Sequence, residues 1–312
     1  FDHFHGFLGD MMDDYYTHLR GGKNFMRLNQ ETINPQGHAS DLFSQWSIDY
    51  LRERDQSPNP KPFFLYLAYN APHFPIQPPD RWLQRVRDRE PSIPMARALN
   101  VALVEHLDDC VGRVLKCLDQ LGLRDNTMVV FTSDNGGSLR HAQRNFPWRD
   151  GKQSHYDGGL RVPAIIRYPG VISKGSKSNQ PAMTFDLTRT MLEIADAKID
   201  PATDACSLQP VFAGKPMPEN RAMYFVRREG NMRYVGGAYH AIIHRGLKLM
   251  RNDPFSPLEL YDLESDSREE NDLASKRPND VKRLKRMLMQ QIQRGGQIPW
   301  QRATPTRHEG EG

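Results

Sequence analysis

Residues 128–137 read MVVFTSDNGG, a run of strand-forming residues that ends in a polar turn containing glycine. The run Met128–Thr132 does not alternate between apolar and polar positions, which is typical of a parallel strand covered on both faces. A second such run, Phe63–Tyr69, precedes it. Between the two, leucine and valine recur at steps of three and four residues and predict a helix from Met95 to about Leu121. Together they predict a βαβ unit with parallel strands and a right-handed crossover.

The remaining segments predict a large α/β part followed by a smaller α+β part. In the first part we expect a helix at Asp41–Arg54 capped by Ser40, a strand at Ala164–Tyr168 and a helix at Thr184–Ala195. After about Gly214 the pattern changes to short alternating segments that predict an antiparallel sheet, namely Met223–Val226, Tyr239–His244, Leu247–Met250 and Leu258–Leu263.

A final helix is predicted from about Asn279 to Arg294, followed by a polar tail that we expect to be disordered. The predicted domains are therefore a partial α/β domain at residues 1–214 and a C-terminal α+β subdomain at residues 215–312.

Composition limits the classes of function that fit the chain. The net charge is +4 over 312 residues. The basic stretch Lys276–Arg294 alternates with apolar residues at helical spacing, so we interpret it as a solvated helix face rather than a polyanion-binding patch. We therefore expect no nucleic-acid partner. No apolar run approaches the roughly 18 residues of a membrane span. The chain begins at Phe1 without a leader, so we expect the natural start and any signal peptide to lie upstream.

Polar residues follow both strands of the predicted βαβ unit. His73 comes after the first strand, and Asp134 and Asn135 come after the second. Because the carboxyl ends of parallel strands meet at one sheet edge, we expect the three side chains to share a crevice. A carboxylate and an amide carbonyl suit calcium or magnesium, although Asp-Asn-Gly is also a common turn sequence. An imidazole at the same crevice could donate a proton or a hydrogen bond.

A third polar cluster, GKQSHYDGGLRVP at residues 151–163, precedes the predicted strand at Ala164. Lys152 could supply a positive charge to an anionic substrate, with His155 three residues further on; a solvated loop is the alternative. The preceding stretch Leu139–Asp150 contains Arg149 and could line the mouth of a pocket, or form a plain surface loop. Arginine and tryptophan in such a stretch suit an anionic sugar.

The motifs, in their order and spacing, resemble the sulfatase family of the alkaline-phosphatase superfamily. The similarity covers most of the chain and is carried by these segments: Phe1–Gly9, Pro62–Tyr66 leading to Ala71-Pro72-His73, Thr132–Gly136, Gly151-Lys152 with Tyr156–Pro163, and Leu260–Leu263 with Asn271–Ala274. The resemblance implies an alkaline-phosphatase-like α/β fold with a central, mostly parallel sheet flanked by helices. The expected smaller C-terminal subdomain contains an antiparallel sheet.

The resemblance also implies a reaction and its site residues. Such enzymes hydrolyse sulfate esters to an alcohol and inorganic sulfate by means of a formylglycine nucleophile and one Ca²⁺. Carried over here, Asp134 and Asn135 are expected calcium ligands, and Lys152 and His73 are expected catalytic contacts to the sulfate, with His73 beside the leaving oxygen. From their own positions in the polar cluster and in the stretch before it, His155 and Arg149 are also expected to contact substrate. A periplasmic or secreted location is the corresponding expectation.

The chain departs from the family pattern at the nucleophile. None of Cys110, Cys117 and Cys206 begins a C-x-P-x-R type motif. We expect the formylglycine and the first two aspartate ligands to lie upstream of residue 1, and the chain alone to be inactive. A carbohydrate sulfate is the favoured substrate, with an aryl sulfate as the alternative. Two rival functions stay open, a phosphodiesterase or phosphonate hydrolase of the same superfamily and a non-catalytic protein that binds sulfated glycans. The sequence does not indicate an oligomeric state.

Overall fold

The computed structural model describes residues 1–228 and 237–296, and these form two compact units that interleave along the chain. The first unit comprises residues 1–131, 138–144 and 165–174, and the second comprises residues 132–137, 145–164 and those from 175 on. The domain boundary predicted at residue 214 stays a prediction. The predicted polar tail lies, from residue 297 on, outside the described residues.

Three helices form most of the first unit: α1 (Ala39–Asp55), α2 (Asp80–Arg89) and α3 (Met95–Gln120). Helices α1 and α2 both pack against α3, whose bounds agree with the sequence prediction. The predicted cap of α1 is wrong. Its N-cap is His38, whose ring Nδ1 accepts the backbone N–H of Ser40 at 3.2 Å. Ser40 is already inside the first helical turn and cannot cap it.

The first unit also contains short antiparallel strands that the sequence analysis did not predict. They are β1 (His5–Phe7), β2 (Leu19–Arg20), β3 (Lys23–Asn24), β4 (Met26–Leu28) and β5 (Glu31–Thr32). Strand β4 pairs with both β1 and β5, and β2 pairs with β3. Two or three residues are too few to produce a recognisable period. The predicted strands on either side of the polar clusters are present as β6 (Val129–Thr132) and β7 (Ala164–Arg167), which are hydrogen-bonded neighbours.

The prediction of a strand at Phe63–Tyr69 is wrong, because these residues belong to no sheet in the described part of the chain. Their side chains alternate instead, with Phe64 and Tyr66 exposed and Phe63 and Leu67 half buried against the helices. An apolar run can thus be covered on one side by helices without joining a ladder. Sequence periodicity alone does not separate these two cases.

A four-stranded antiparallel sheet organises the second unit, with strand order β11-β10-β9-β8. Its strands are β8 (Met223–Arg228), β9 (Ala238–His244), β10 (Leu247–Met250) and β11 (Glu259–Asp262). The helices of this unit are α4 (Asp157–Leu160), α5 (Thr184–Ile194), α6 (Gln209–Phe212) and α7 (Pro278–Gly296). The antiparallel sheet, α5 and α7 agree with the sequence prediction.

The two faces of this sheet bury different partners, because successive side chains of a strand point to opposite sides. Ile242, Leu249 and Leu260 form a core with Leu284 and Leu288 of α7. Residues of the opposite face pack against Tyr156, including Ala241, Met250 and Tyr261. No helix within the described residues is long and apolar enough to cross a membrane.

Candidate functional site

Asp134 and Asn135 lie in a turn just after β6, separated from the end of the strand by Ser133. Asp134 is exposed, and its Oδ1 accepts hydrogen bonds from the Asn135 backbone N–H at 2.9 Å and from the Ser133 hydroxyl at 3.3 Å. Asn135 is half buried, and its amide nitrogen donates to the carbonyl of Gly136 at 2.9 Å. Its side-chain oxygen has no partner among the described residues. The turn therefore presents a carboxylate and an amide oxygen, the donor types that suit calcium.

Glycines let this turn approach residues 151–161, which we call the site segment, with direct contacts between the two backbones. A Cβ atom on Gly136 would lie 1.8 Å from the carbonyl oxygen of Gly158, so no other residue fits there. Gly136 donates its N–H to the Gly159 carbonyl at 3.0 Å, and Lys152 donates its N–H to the Gly137 carbonyl at 2.9 Å. The glycines of the DNGG and YDGG motifs thus contact each other through their backbones. This contact holds the turn with Asp134 and Asn135 next to Lys152.

Asn135 and Lys152 line a common cavity of about 360 Å³, and His155 lines it too. Lys152 is half buried, and its ammonium has no hydrogen-bond or ion-pair partner among the described residues. Strand β8 contributes Phe225 and Arg227 to the same wall. No acidic side chain is among the lining residues, so the local charge favours an anionic ligand.

His155 is held inside the second unit by its own backbone and ring contacts. Its N–H donates to Asn252 Oδ1 at 2.6 Å, and its ring Nδ1 lies 3.3 Å from the Arg251 carbonyl oxygen. Burial lowers the pKa of His155 to about 4, and the nearby charges of Lys248 and Arg227 act in the same direction. The ring is therefore neutral near pH 7 and can offer a hydrogen bond but not a charge. Its predicted contact with substrate stays a prediction.

Arg149 has structural partners in this unit. Its Nη1 donates to the Tyr261 hydroxyl at 3.2 Å and to the Glu269 carbonyl at 2.5 Å. Its guanidinium carbon also lies 3.8 Å from the centre of the Tyr156 ring. Arg149 is not among the residues that line the cavity of Lys152. Its contacts tie the site segment to the antiparallel sheet, and its predicted role in substrate binding stays a prediction.

Lys248, a buried lysine that the sequence analysis missed, binds the site segment from strand β10. Lys248 of β10 has no exposed surface, and its ammonium donates to the His155 carbonyl at 3.1 Å, to Glu269 Oε1 at 2.7 Å and to Asp157 Oδ1. Glu269 Oε2 also accepts the Asp157 backbone N–H at 2.6 Å. A signal was present in the sequence, because Lys248 interrupts an apolar strand on the face opposite Leu247.

His73 lies in the first unit, where its main chain is firmly held. Its carbonyl accepts the Tyr15 hydroxyl at 3.0 Å, and its N–H donates to the Asn70 carbonyl at 2.9 Å. The ring Nδ1 lies 2.7 Å from the Phe74 carbonyl oxygen. A carbonyl only accepts, so Nδ1 carries the hydrogen and Nε2 remains for another contact. The predicted proximity of His73 to Asp134 stays a prediction.

A group with metal-ligand geometry occurs in the first unit, at residues that the sequence analysis did not select. His38, Asp41 and His106 offer ligand atoms within 4.8 Å of one another. Asp41, however, already accepts hydrogen bonds from Arg113 at 2.5 Å and from His106 Nε2 at 3.0 Å. Two imidazoles also suit transition metals better than calcium. In this structure Asp41 forms ion pairs with His106 and Arg113, and the calcium ligands predicted at the β6 turn are different residues.

Comparison with known proteins identifies the family. The model of the family described as Sulfatase matches residues 1–197. The chain belongs to the sulfatase family. A second family model, described as N-sulphoglucosamine sulphohydrolase, C-terminal, matches residues 145–296 of the chain. The match includes the site segment and the antiparallel sheet.

Curated relatives and solved structures agree with this membership. The chain is 33% identical over 212 residues to N-acetylgalactosamine-6-sulfatase of Mus musculus, covering 66% of this chain and 38% of that protein. It is 36% identical over 172 residues to a sulfatase of Formosa agariphila, covering 52% of this chain and 31% of that protein. The chain thus spans well under half the length of these relatives.

The fold prediction is confirmed by solved structures. The crystal structure of Ps i-CgsB in complex with k-i-k-neocarrahexaose superposes with a TM-score of 0.83 at 26% identity, covering 93% of this chain and 66% of that chain. BT4656, solved with its substrate D-glucosamine-2-N,6-O-disulfate, gives a TM-score of 0.73 at 21% identity, covering 94% of this chain and 76% of that chain. The sulfatase α/β fold with its C-terminal antiparallel sheet is therefore the fold of this protein.

Proposed function

We propose that this chain forms the sulfate-binding part of a sulfatase that hydrolyses carbohydrate sulfate esters to an alcohol and inorganic sulfate. One observation carries the proposal: Asn135 and Lys152 line one cavity that contains no acidic side chain. A sulfate ester gains negative charge on its leaving oxygen as the S–O bond breaks. A fixed ammonium in contact with the sulfate oxygens stabilises the negative charge of the reacting group.

Lys152 fits the role of the cationic sulfate contact. Its backbone is anchored to Gly137, and its ammonium is not neutralised by any described carboxylate. The loop can therefore hold the charge in place without first breaking an internal ion pair. Such preorganisation is the main source of electrostatic catalysis in enzyme sites.

Asp134 and Asn135 are the proposed calcium ligands, because the turn offers a carboxylate oxygen and an unpaired amide oxygen. A bound calcium ion would withdraw charge from the sulfate oxygens. His73, with Nε2 available, is the proposed partner of the leaving oxygen. The formylglycine nucleophile stays an expectation for the full-length protein, as does a periplasmic or secreted location.

Changing Lys152 to alanine in the full-length protein tests the assignment. We expect kcat/KM for sulfate release from N-acetylgalactosamine 6-sulfate to fall about 10²- to 10³-fold, as when one stabilising donor is removed from an enzyme site. His73→Ala should also reduce kcat. Sulfate release is measured by ion chromatography.

Lys177→Ala is the matched control, because Lys177 is exposed and lies outside the cavity. The 312-residue chain alone serves as the negative arm, since none of its cysteines begins a formylglycine motif. Unchanged kcat/KM in both active-site variants would refute the assigned roles. Cleavage of a phosphodiester in preference to the sulfate would favour the phosphodiesterase alternative. Glycan binding without any turnover would favour the non-catalytic one.

A further inference from the structure

A phenyl ring lies next to His73 at the surface of the first unit. Phe74 follows His73 in the chain, and 52% of its surface is exposed to water. The ring Nδ1 of His73 donates to the Phe74 carbonyl at 2.7 Å, so the imidazole is tied to the main chain of Phe74. A single exposed apolar side chain is ordinary in proteins. The position of this one, fixed beside a candidate catalytic residue, is what distinguishes it.

The ring of Phe74 stacks on the ring of His141. The two ring centres are 4.7 Å apart, and the ring planes are inclined by 23°. His141 is half buried, and it belongs to the stretch after the β6 turn that the sequence analysis associated with the mouth of a pocket. One side of the phenyl ring is therefore covered by the imidazole, and the rest of its surface stays open to a ligand.

The loop that carries His141 is fixed on two sides. Its carbonyl accepts a hydrogen bond at 2.5 Å from the side-chain amide of Asn100, a buried residue of α3. Gln143 donates through Nε2 to the Pro72 carbonyl at 2.9 Å, and its Oε1 accepts the Ser138 backbone N–H at 2.6 Å. The loop is thus bonded both to α3 and to the segment that contains His73. Such a preorganised surface loses little conformational entropy when a ligand binds to it.

The stacked pair lies close to the expected position of the leaving group. Nε2 of His73 is the proposed partner of the leaving oxygen, and the Cα atoms of adjacent residues are only about 3.8 Å apart. The carbon skeleton of the departing alcohol is attached to that oxygen, so it comes within reach of Phe74. The C–H groups of a sugar ring give it an apolar face, and aromatic side chains supply the apolar surface of most ligand sites.

We propose that Phe74 is a specificity-determining residue that packs against the ring of the sugar from which sulfate is removed. This inference rests on the proposed function and names its substrate class, the sulfate esters of cyclic sugars rather than of acyclic alcohols. Phe74 contacts the sugar, and His141 is a positioning residue that fixes the phenyl ring. Because the contact is made with the alcohol part and not with the sulfate, it selects among substrates that carry the same reacting group.

The test compares two substrates that carry the same sulfate on different alcohols. N-acetylgalactosamine 6-sulfate contains a sugar ring, and its reduced form, N-acetylgalactosaminitol 6-sulfate, is acyclic. In the full-length protein we expect Phe74→Ala to raise KM for the cyclic substrate about five- to tenfold with little change in kcat, the effect of losing one aromatic contact. On the acyclic substrate kcat/KM should stay within about twofold of wild type. Phe74→Trp should restore most of the affinity for the cyclic substrate.

Phe64→Ala is the matched control. Phe64 is also an exposed phenylalanine of the first unit, and its ring stacks on that of Phe1 with the centres 5.8 Å apart. It should leave both substrates unaffected. His141→Ala should produce a smaller rise in KM of the same kind as Phe74→Ala, whereas His141→Phe keeps an aromatic support and should retain the wild-type KM.

An equal loss on both substrates in Phe74→Ala would mean that Phe74 acts by positioning His73, and it would overturn the proposal, as would no loss on either. If wild type releases no sulfate from either substrate, the proposed function fails. Calorimetric binding of N-acetylgalactosamine 6-sulfate then decides the inference separately. Several-fold weaker binding by Phe74→Ala than by wild type would still support the sugar contact. Equal binding, or no binding by wild type, would refute it.

Discussion

Two ionic clusters, one in each compact unit, are built from similar side chains but differ in their exposure to water. The cluster of the first unit is Asp41, His106 and Arg113, and the cluster of the second unit is Lys248, Asp157 and Glu269. In the first, the side chains of Asp41 and Arg113 are 36% and 35% exposed, and only His106 is fully buried. In the second, no side chain is more than 3% exposed.

This difference decides what happens when one partner is removed. Water can solvate Asp41 if Arg113 is lost, so the ion pair between Asp41 and Arg113 contributes little net free energy, as for other exposed pairs. Buried Glu269 has no such replacement, and Asp157 keeps only its ion pair with Arg161. Burial raises the pKa of Glu269 against the opposing effect of Lys248. Breaking a buried pair leaves an uncompensated charge, which is costly even where the intact pair adds little.

Removing the cation of the buried cluster is expected to have the largest effect. Lys248→Met leaves Glu269 without a cation and Asp157 with Arg161 as its remaining ion-pair partner, and we expect the free energy of unfolding to fall by about 3–5 kcal/mol. Urea unfolding followed by tryptophan fluorescence measures the change. Because Lys248 also binds the His155 carbonyl, the variant should lose order in the site segment.

Lys285→Met is the matched control, since Lys285 is exposed on α7, and it should change stability by less than about 0.5 kcal/mol. The triple variant Lys248→Met, Asp157→Asn, Glu269→Gln should recover part of the loss by removing the two buried negative charges that Lys248 had compensated. A loss below about 1 kcal/mol in Lys248→Met would show that the cluster is not as desolvated as its burial indicates.

Backbone packing in the second unit is the next most sensitive feature. In Gly136→Ala the new Cβ meets the Gly158 carbonyl oxygen at 1.8 Å, so the turn must move away from the site segment. We expect a loss of about 2–4 kcal/mol in thermal or urea unfolding. The first unit offers the control Gly112→Ala, in the interior of α3 with no atom within 4 Å of the new Cβ.

In Gly112→Ala, the higher helix propensity of alanine should stabilise the protein by about 0.5–1 kcal/mol. Opposite signs for the two alanine variants would confirm that the glycines of the DNGG motif are retained for close approach. A Gly136→Ala variant as stable as wild type would contradict the backbone contact.

Long periodic segments were predictable from the sequence, and so was membership of the family. Helix α3 and the antiparallel strands follow patterns set by burial on one face. The strand predicted at Phe63–Tyr69 was wrong because helices can cover an apolar segment that pairs with no strand. The cap of α1 was missed because a histidine, rather than the adjacent serine, supplies the acceptor.

Site residues were predictable only where a short motif carries them. Asn135 and Lys152 lie in such motifs, and the structure brings them to one cavity. Lys248 and Arg227 lie in the antiparallel sheet, far from these motifs in sequence, and their position depends on strand register. Register is set by tertiary pairing, which no local pattern specifies.

The cluster of the first unit should make the stability of the protein depend on pH. Burial lowers the pKa of His106, but the hydrogen bond to Asp41 and the contact with Cys110 outweigh it and raise the pKa from 6.5 to about 9. A pKa raised on folding stabilises the protein fully below about pH 6.5 and loses that contribution as the pH rises through 9. We therefore expect the Tm of wild type to fall between pH 6.5 and 9.5.

Asp41→Asn should flatten that decline, because the carboxylate that favours the imidazolium is gone, and should cost about 1 kcal/mol at pH 6.5 given its partial exposure. Asp125→Asn, an exposed aspartate of the same unit, controls for the change in net charge and should keep the wild-type slope. Calorimetric scans at half-unit pH steps supply the comparison. If Tm depends on pH in the same way in wild type and in Asp41→Asn, Asp41 is not the group that raises the pKa of His106. The two clusters would then differ only in their burial.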